Sequence, residues 1–256
     1  MTAYRRENRR LWDEWSDDFQ AIWNAETADG EAPPAPSPFA EDAPGGRPDG
    51  LVDTVEGKAY VELGCGGGQG SVGTAELGAD PVVGVDVSGR QLQHARKLRD
   101  FYGVDAAFVQ GDATNVPLPD DAFDLASSEA AFQMVPDVDA AFAEAHRVLR
   151  EGGVFVVSVP HPLNESLDDE TGRVTGDYLD AGPREITISD DYDADLVVFD
   201  RPVADLHNAL VDAGFDVRRV YEHQSYDVEH TDPAESDRDE AVWNVPQSVR
   251  FWAVAE

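Results

Sequence analysis

Apolar positions recur at helical spacing over residues 4 to about 28, where Leu11, Trp12, Trp15, Phe19, Ile22 and Trp23 share a stripe. The pattern then breaks over residues 30–50, GEAPPAPSPFAEDAPGGRPDG, whose six prolines and few apolar residues predict a linker or mobile loop. From residue 58 onward short Val-rich runs alternate with amphipathic stretches. The runs AYVEL (59–63), PVVGVDV (81–87), AAFVQGD (106–112), AFDLASS (122–128) and GVFVVSVP (153–160) read as strands. Between them, Ser88 with Gln91 three residues on has capping-box spacing. Residues 137–150 place Val138, Ala141, Phe142, Ala145 and Leu149 on one helical stripe.

Apolar strands alternating with helices imply right-handed crossovers and a parallel sheet covered on both faces. After a polar, irregular stretch at 161–195, a helix with Pro202 in its first turn and Gly214 past its end leads to DVRRVYEH (216–223) and QSVRFWAVA (247–255). These last two runs have no helix between them and can pair antiparallel at one sheet edge. The expected fold is α/β, a doubly wound, Rossmann-like, mainly parallel seven-stranded sheet with an antiparallel last strand. In domain terms, 1–29 is an N-terminal helix, 30–50 a linker, and 51–256 one domain carrying the polar insert 161–195.

Charge adds a constraint. Nineteen basic residues face 52 acidic ones, a formal net charge of −33, and only Lys58 and Lys97 are lysines. Such a surface repels nucleic-acid phosphates and anionic membranes, so neither is an expected partner. It also suggests a cytoplasmic protein of a salt-rich cell, where ions screen the self-repulsion. The N-terminus is too polar for a secretory signal, and one cysteine, Cys65, allows no internal disulfide. Cys65 reads more simply as a small residue that fits than as a reactive thiol, and no metal site is expected.

The chemistry concentrates where the first strand ends. Between Gly64 and Gly73 six of ten residues are glycine, although interior glycine costs roughly 0.5–1 kcal/mol relative to alanine. At a strand's carboxyl end such a run lets the main chain approach a ligand. The dinucleotide pattern G-x-G-x-x-G fails at the strand end, where the sixth position is Gln69, and its match at Gly68, Gly70 and Gly73 starts too late for a pyrophosphate turn. Asp86 closes the second strand 22 residues after Gly64, the place of a carboxylate that takes both hydroxyls of a ribose. Asp112, with the backbone of Ala113, is placed to hold an adenine amino group.

VELGCGGGQG, VVGVDVS, GDATNVPLPDDAFDLASSEAAFQMV and AHRVLREGGVFVVSVP follow one another in the order and spacing of class I S-adenosylmethionine-dependent methyltransferases, which the chain resembles closely over 58–160 and loosely to its end. The resemblance implies that Glu62, Gly64, Cys65 and Gly66 hold the methionine end of S-adenosylmethionine. By the same resemblance Asp86 and Val87 hold the ribose, Asp112 and Ala113 the adenine, and Ser128 or Glu129 borders the sulfonium. Transfer of an activated methyl requires mainly alignment, and an oxygen acceptor also needs a base. His161, directly after the fifth strand, is the candidate base, with a structural role in its turn as the alternative; His94 and His146 sit in helices and His207 on the late helix. Trp12, Trp15 and Phe19 either line the core or form a lid over the site. The expected activity is methyl transfer to a small-molecule acceptor; a non-catalytic cofactor binder and an NAD-dependent oxidoreductase are the alternatives.

Overall fold

A computed structural model describes residues 3–25, 35–41, 43, 47–168, 171–180, 182–223 and 245–256. The end of the first helical stretch, parts of the predicted linker and the acidic loop before the last strand lie outside the described residues. A long helix, α1 (Ala3–Ala25), precedes the sheet. The chain then runs β1 (Tyr60–Leu63), α2 (Gln69–Glu76), β2 (Val82–Asp86), α3 (Gln91–Tyr102), β3 (Ala107–Gln110), β4 (Phe123–Glu129), α4 (Val138–Val148) and β5 (Leu149–Pro160). It continues with β6 (Pro183–Ile186), β7 (Leu196–Phe199), α5 (Val203–Asp212), β8 (Phe215–His223) and β9 (Ser248–Ala255).

The main sheet has seven strands in the order β3-β2-β1-β4-β5-β9-β8. Its first five strands are parallel, and β9 enters antiparallel between β5 and β8. The strand order reverses between β1 and β4, the crevice where ligands of open α/β sheets bind. One face buries α4 and α5 through Val138, Phe142, Val148, Leu206 and Leu210. The other buries α2 and α3 through Val72, Leu92, Ala95 and Leu98. Each face must be covered because every central strand is buried on both sides.

Three features depart from the sequence reading. The segment expected to be a linker carries Phe39, fully buried edge-on against Tyr60 and Trp252, a burial worth about 1.5–3 kcal/mol. Residues 183–199 form a separate two-stranded antiparallel hairpin, with β6 inside the stretch 161–195 expected to be irregular and β7 just past it. On α1 the fully buried positions are mainly polar, Asn8, Ser16 and Gln20 beside Leu11, while Trp12, Trp15 and Phe19 pack chiefly on one another, ring centroids 5.0–5.1 Å apart, and stay half-exposed. The reason is where the helix lies: it crosses loop ends, whose backbone and side chains are polar, instead of an apolar sheet face. No helix among the described residues is long and apolar enough to cross a membrane.

Candidate functional site

The loop after β1 is shaped by what surrounds it. Gly64 has φ +80°, and a Cβ there would stand 2.4 Å from Cβ of Ala131, the second residue after β4. Only glycine lets the two strand ends at the switch point come this close. Glycines further along the run serve packing instead. At Gly73 a Cβ would stand 2.0 Å from the carbonyl oxygen of Ala35, so the segment before β1 rests directly on α2, helped by a 2.8 Å hydrogen bond between the hydroxyls of Ser37 and Thr74.

Asp86 lies against this loop. Its Oδ2 accepts from Gly66 N at 2.8 Å and its Oδ1 from Ser88 N at 2.8 Å, leaving further lone pairs on a carboxylate that can accept about four bonds. Ser88 Oγ caps the start of α3 by accepting from Gln91 N at 3.1 Å, as the capping spacing predicts. Glu62, buried beneath the loop, accepts from Ser71 Oγ.

Burial governs the charges here. Desolvation pushes the Glu62 carboxyl up to about 8, with Glu129 and Asp86 adding repulsion against the Ser71 bond. Desolvation likewise lifts Asp86 to about 6 despite its bonds from Ser88 and Gly66. Glu129 is raised by burial and held down in part by Arg250. The Cys65 thiol is pushed well up by burial and by Asp86 and Glu62, which keeps it protonated and unreactive. Three partly desolvated carboxyl groups converging on one glycine loop favour a cationic occupant.

Helix α1 places one polar side chain on each loop of the β1–β3 half. Gln20 accepts from Gln69 Nε2 at 2.7 Å and donates to Gln91 Oε1 at 2.8 Å. Asp13 Oδ1 accepts from Ser88 Oγ at 2.7 Å and from Arg90 N. Arg5 donates to Asp112 Oδ2 at 3.0 Å, while Asp112 Oδ1 accepts from Thr114 N and Oγ1. Thus Asp112 and the adjoining Ala113 stand at the loop after β3 under a helix that the motif did not include. Val87 adjoins Asp86, its carbonyl accepting from Gln110 Nε2 at 2.9 Å.

Ser128 and Glu129 end β4 on the other side of the crevice. Ser128 is fully buried, its Oγ 4.0 Å from the Cβ position of Gly64. Glu129 Oε2 accepts from Arg250 Nη2 at 2.7 Å. Four buried polar atoms around the loop, Ser16 Oγ, Gln91 Nε2, Ser128 Oγ and Glu129 Oε1, have no hydrogen-bond partner among the described residues. A native interior rarely leaves such atoms unmet.

The candidate base is differently placed. His161 is almost wholly buried; its Nδ1 accepts from Leu163 N at 3.2 Å, which puts the proton on Nε2, and Nε2 donates to Glu222 Oε1 at 2.8 Å. Both ring nitrogens are occupied, so His161 holds its turn and offers no nitrogen to an acceptor. His94 pairs with Asp17 on α1 at 2.8 Å, and His146 packs on Phe215 with Nε2 3.2 Å from the carbonyl oxygen of Glu256. Sequence reasoning missed Arg5, Asp13 and Gln20, which carry no motif, and Arg250, whose one available signal was a lone charge in the apolar strand SVRFWAVA.

Known proteins resemble the chain over part of its length. A family profile described as "Methyltransferase domain" matches residues 61–157. A fatty-acid O-methyltransferase of Mycolicibacterium smegmatis is 34% identical over 109 residues, 42% of this chain and 39% of that protein. A phthiotriol/phenolphthiotriol dimycocerosates methyltransferase of Mycobacterium ulcerans is 31% identical over 133 residues, 52% of this chain and 48% of that protein. The chain therefore spans about two-fifths to a half of the length of these curated relatives. The crystal structure of an S-adenosylmethionine-dependent methyltransferase from Mesorhizobium loti superposes with TM-score 0.65 at 30% identity, covering 80% of this chain and 94% of that one.

Proposed function

The chain belongs to the S-adenosylmethionine-dependent methyltransferases, and from that premise we propose that it transfers a methyl group to a small-molecule acceptor seated beyond the carboxyl ends of β4 and β5. When bound, S-adenosylmethionine supplies a methyl group already activated on a positively charged sulfur. The observation that carries the reading is the pair of unmet buried atoms Gln91 Nε2 and Ser128 Oγ, whose side chains stand beside Gly66 and Gly64, on a loop flanked by the raised carboxyl groups of Glu62 and Asp86. A ligand with a cationic end and several polar groups answers both needs.

In this reading Glu62, Gly64, Cys65 and Gly66 hold the amino-acid end. Asp86 and Val87 take the ribose, Asp112 and Ala113 the adenine, and Ser128 sits beside the sulfonium. Helix α1 acts as a lid, its Arg5, Asp13 and Gln20 holding three loops together and excluding water, and the segment 161–195 shapes the acceptor's side. The relatives' named acceptors, a fatty acid and phthiotriol compounds, put small apolar molecules first among candidates. The net charge of −33 fits work in concentrated salt; an unfolding midpoint that does not rise from low to molar KCl would refute that part alone.

Calorimetric titration tests the core of the reading. S-adenosylmethionine and S-adenosylhomocysteine are expected to bind and NAD is not, and labelled methyl groups from the bound donor should pass to small molecules and not to RNA. Binding of NAD in preference to both would overturn it.

A further inference from the structure

With His161 engaged on both nitrogens, the base for an acceptor that must lose a proton has to be sought elsewhere at the same edge. The register of the sheet brings one group forward. Glu129 on β4 lies opposite Ser158 on β5, Ser158 opposite Arg250 on β9, and Arg250 opposite Tyr221 on β8, so these side chains share one face in a row. Within that row Glu129 is held from one side, its Oε2 by Arg250 Nη2 at 2.7 Å, with Arg250 1% exposed. The other oxygen, Oε1, is buried and meets no donor among the described residues. The next residue, Ala130, has φ +49°, a left-handed conformation that alanine seldom adopts, and its N–H is fixed to the Ser158 carbonyl at 2.9 Å. Strain of that kind at a strand end is retained where a side chain must be aimed. Glu129 is the last residue of β4, at the carboxyl end of the strand that borders the crevice with β1.

We propose that Glu129 Oε1 takes the proton from the methyl-accepting atom, and that the acceptor therefore presents a hydroxyl or amino group, not a carboxylate, at the end of β4. The inference rests on the methyl-transfer reading above and adds the acceptor's chemical class to it. The proton passes from the acceptor's oxygen or nitrogen to Oε1; the electron pair it leaves bonds the incoming methyl carbon, and the pair of the broken carbon–sulfur bond stays on sulfur. Arg250 orients the carboxylate by tying down the oxygen that does not react. A carboxylate acceptor needs no base and would set a further negative charge beside Asp86 and Glu129, which already disfavour a charge on Glu62.

The test uses the whole chain saturated with S-adenosylhomocysteine and titrated with three probes of similar tail, octylamine, 4-octylphenol and octanoate. At least one of octylamine and 4-octylphenol should bind tenfold or more tighter than octanoate. Glu129→Gln should weaken that probe at least tenfold while changing the affinity for S-adenosylhomocysteine less than threefold. Glu129→Asp, which keeps the charge, should keep the discrimination against octanoate and serves as the comparison if Glu129→Gln melts early. Tightest binding of octanoate overturns the proposal. So does a wild-type chain whose response to all three probes, including none at all, equals that of Glu129→Gln, and so does a loss that falls on S-adenosylhomocysteine. Failure of the unaltered chain to bind S-adenosylhomocysteine would instead sink the methyl-transfer reading itself.

Discussion

The two halves of the sheet's carboxyl edge are built in different ways. Beyond β1–β3 the contacts of the loops with one another are local: Ser88 caps Gln91 three residues on, Glu62 meets Ser71 nine residues on, and Gly66 meets Asp86 across 20 residues, while α1, laid over them, comes from 49 to 107 residues away. Beyond β4 and β5 they span the chain: 61 residues separate His161 from Glu222, 121 separate Glu129 from Arg250, and 189 separate Asn8 from Val197. A site made of a turn and two strand ends travels as a short motif. One assembled from an antiparallel strand, a hairpin and the first helix exists only once the whole chain has folded.

The largest effect should come from breaking the local half at its narrowest point. Gly64→Val puts a branched side chain at φ +80° and 2.4 Å from Ala131 Cβ, combining a left-handed strain of about 1–2 kcal/mol with overpacking of about 1–3 kcal/mol. Loss of measurable S-adenosylhomocysteine binding and a fall of roughly 2–5 kcal/mol in unfolding free energy by urea titration are expected. Arg250→Met breaks the other half. It strips the partner from a partly buried carboxylate, which costs about 3–5 kcal/mol when burial is complete; with Glu129 29% exposed, about 1–3 kcal/mol is the expected loss. Retention of most S-adenosylhomocysteine affinity in that variant would sharpen the contrast between the halves.

A smaller effect, read through pH, isolates the carboxyl group under the glycine loop. Glu62 titrates near 8 in the folded chain against an ordinary value of 4.5, so the folded protein keeps a proton that the unfolded chain has released. This group's stabilisation is complete below its ordinary value and is lost as pH rises to about 8. Glu62→Gln still accepts from the Ser71 hydroxyl and cannot ionise, so its melting temperature relative to wild type should climb between about pH 5 and 8. A flat difference across that range would count against the raised carboxyl. Binding a cationic ligand should also release protons near pH 7, detectable as a heat that varies with the buffer's ionisation enthalpy.

How much the sequence disclosed follows the same division. The positions of β1–β5, most of the helical stripe expected over 137–150 and the cap at Ser88 were legible because each depends on neighbours in the chain; Leu149, expected on that stripe, instead opens β5. Phe39 hid among prolines, and only the gap between Tyr60 and Trp252 makes it a core residue. Of the hairpin, β6 reads Pro-Arg-Glu-Ile, two charges in four residues with no apolar run to register. His161 had the right residue type at the right strand end, but nothing nearby in sequence reveals that Glu222, 61 residues on, takes its second ring nitrogen. The aromatic stripe of α1 announced itself loudly, yet its fully buried positions are largely polar ones.

That polar stripe supplies the gentlest test of where the two halves meet. Arg5 is the α1 residue that reaches the loop after β3, bonded to Asp112 at 3.0 Å with both side chains partly exposed, 20% and 26%. A pair this open contributes little to global stability, so Arg5→Ala should leave the melting temperature within about a degree of wild type. Its effect should appear in exchange instead. If α1 must lift for a ligand to leave, loosening one of its three loop contacts should raise the dissociation rate of S-adenosylhomocysteine about two- to fivefold, corresponding to about 0.4–1 kcal/mol, with Gln20→Ala doing the same from the other end of the helix. Stopped-flow displacement followed by tryptophan emission reads this directly, since Trp12 and Trp15 ride on the helix. An unchanged dissociation rate in both variants would mean that the helix is a fixed wall and that the ligand enters from the side of β4 and β5, which would move the entrance into the half assembled from distant parts.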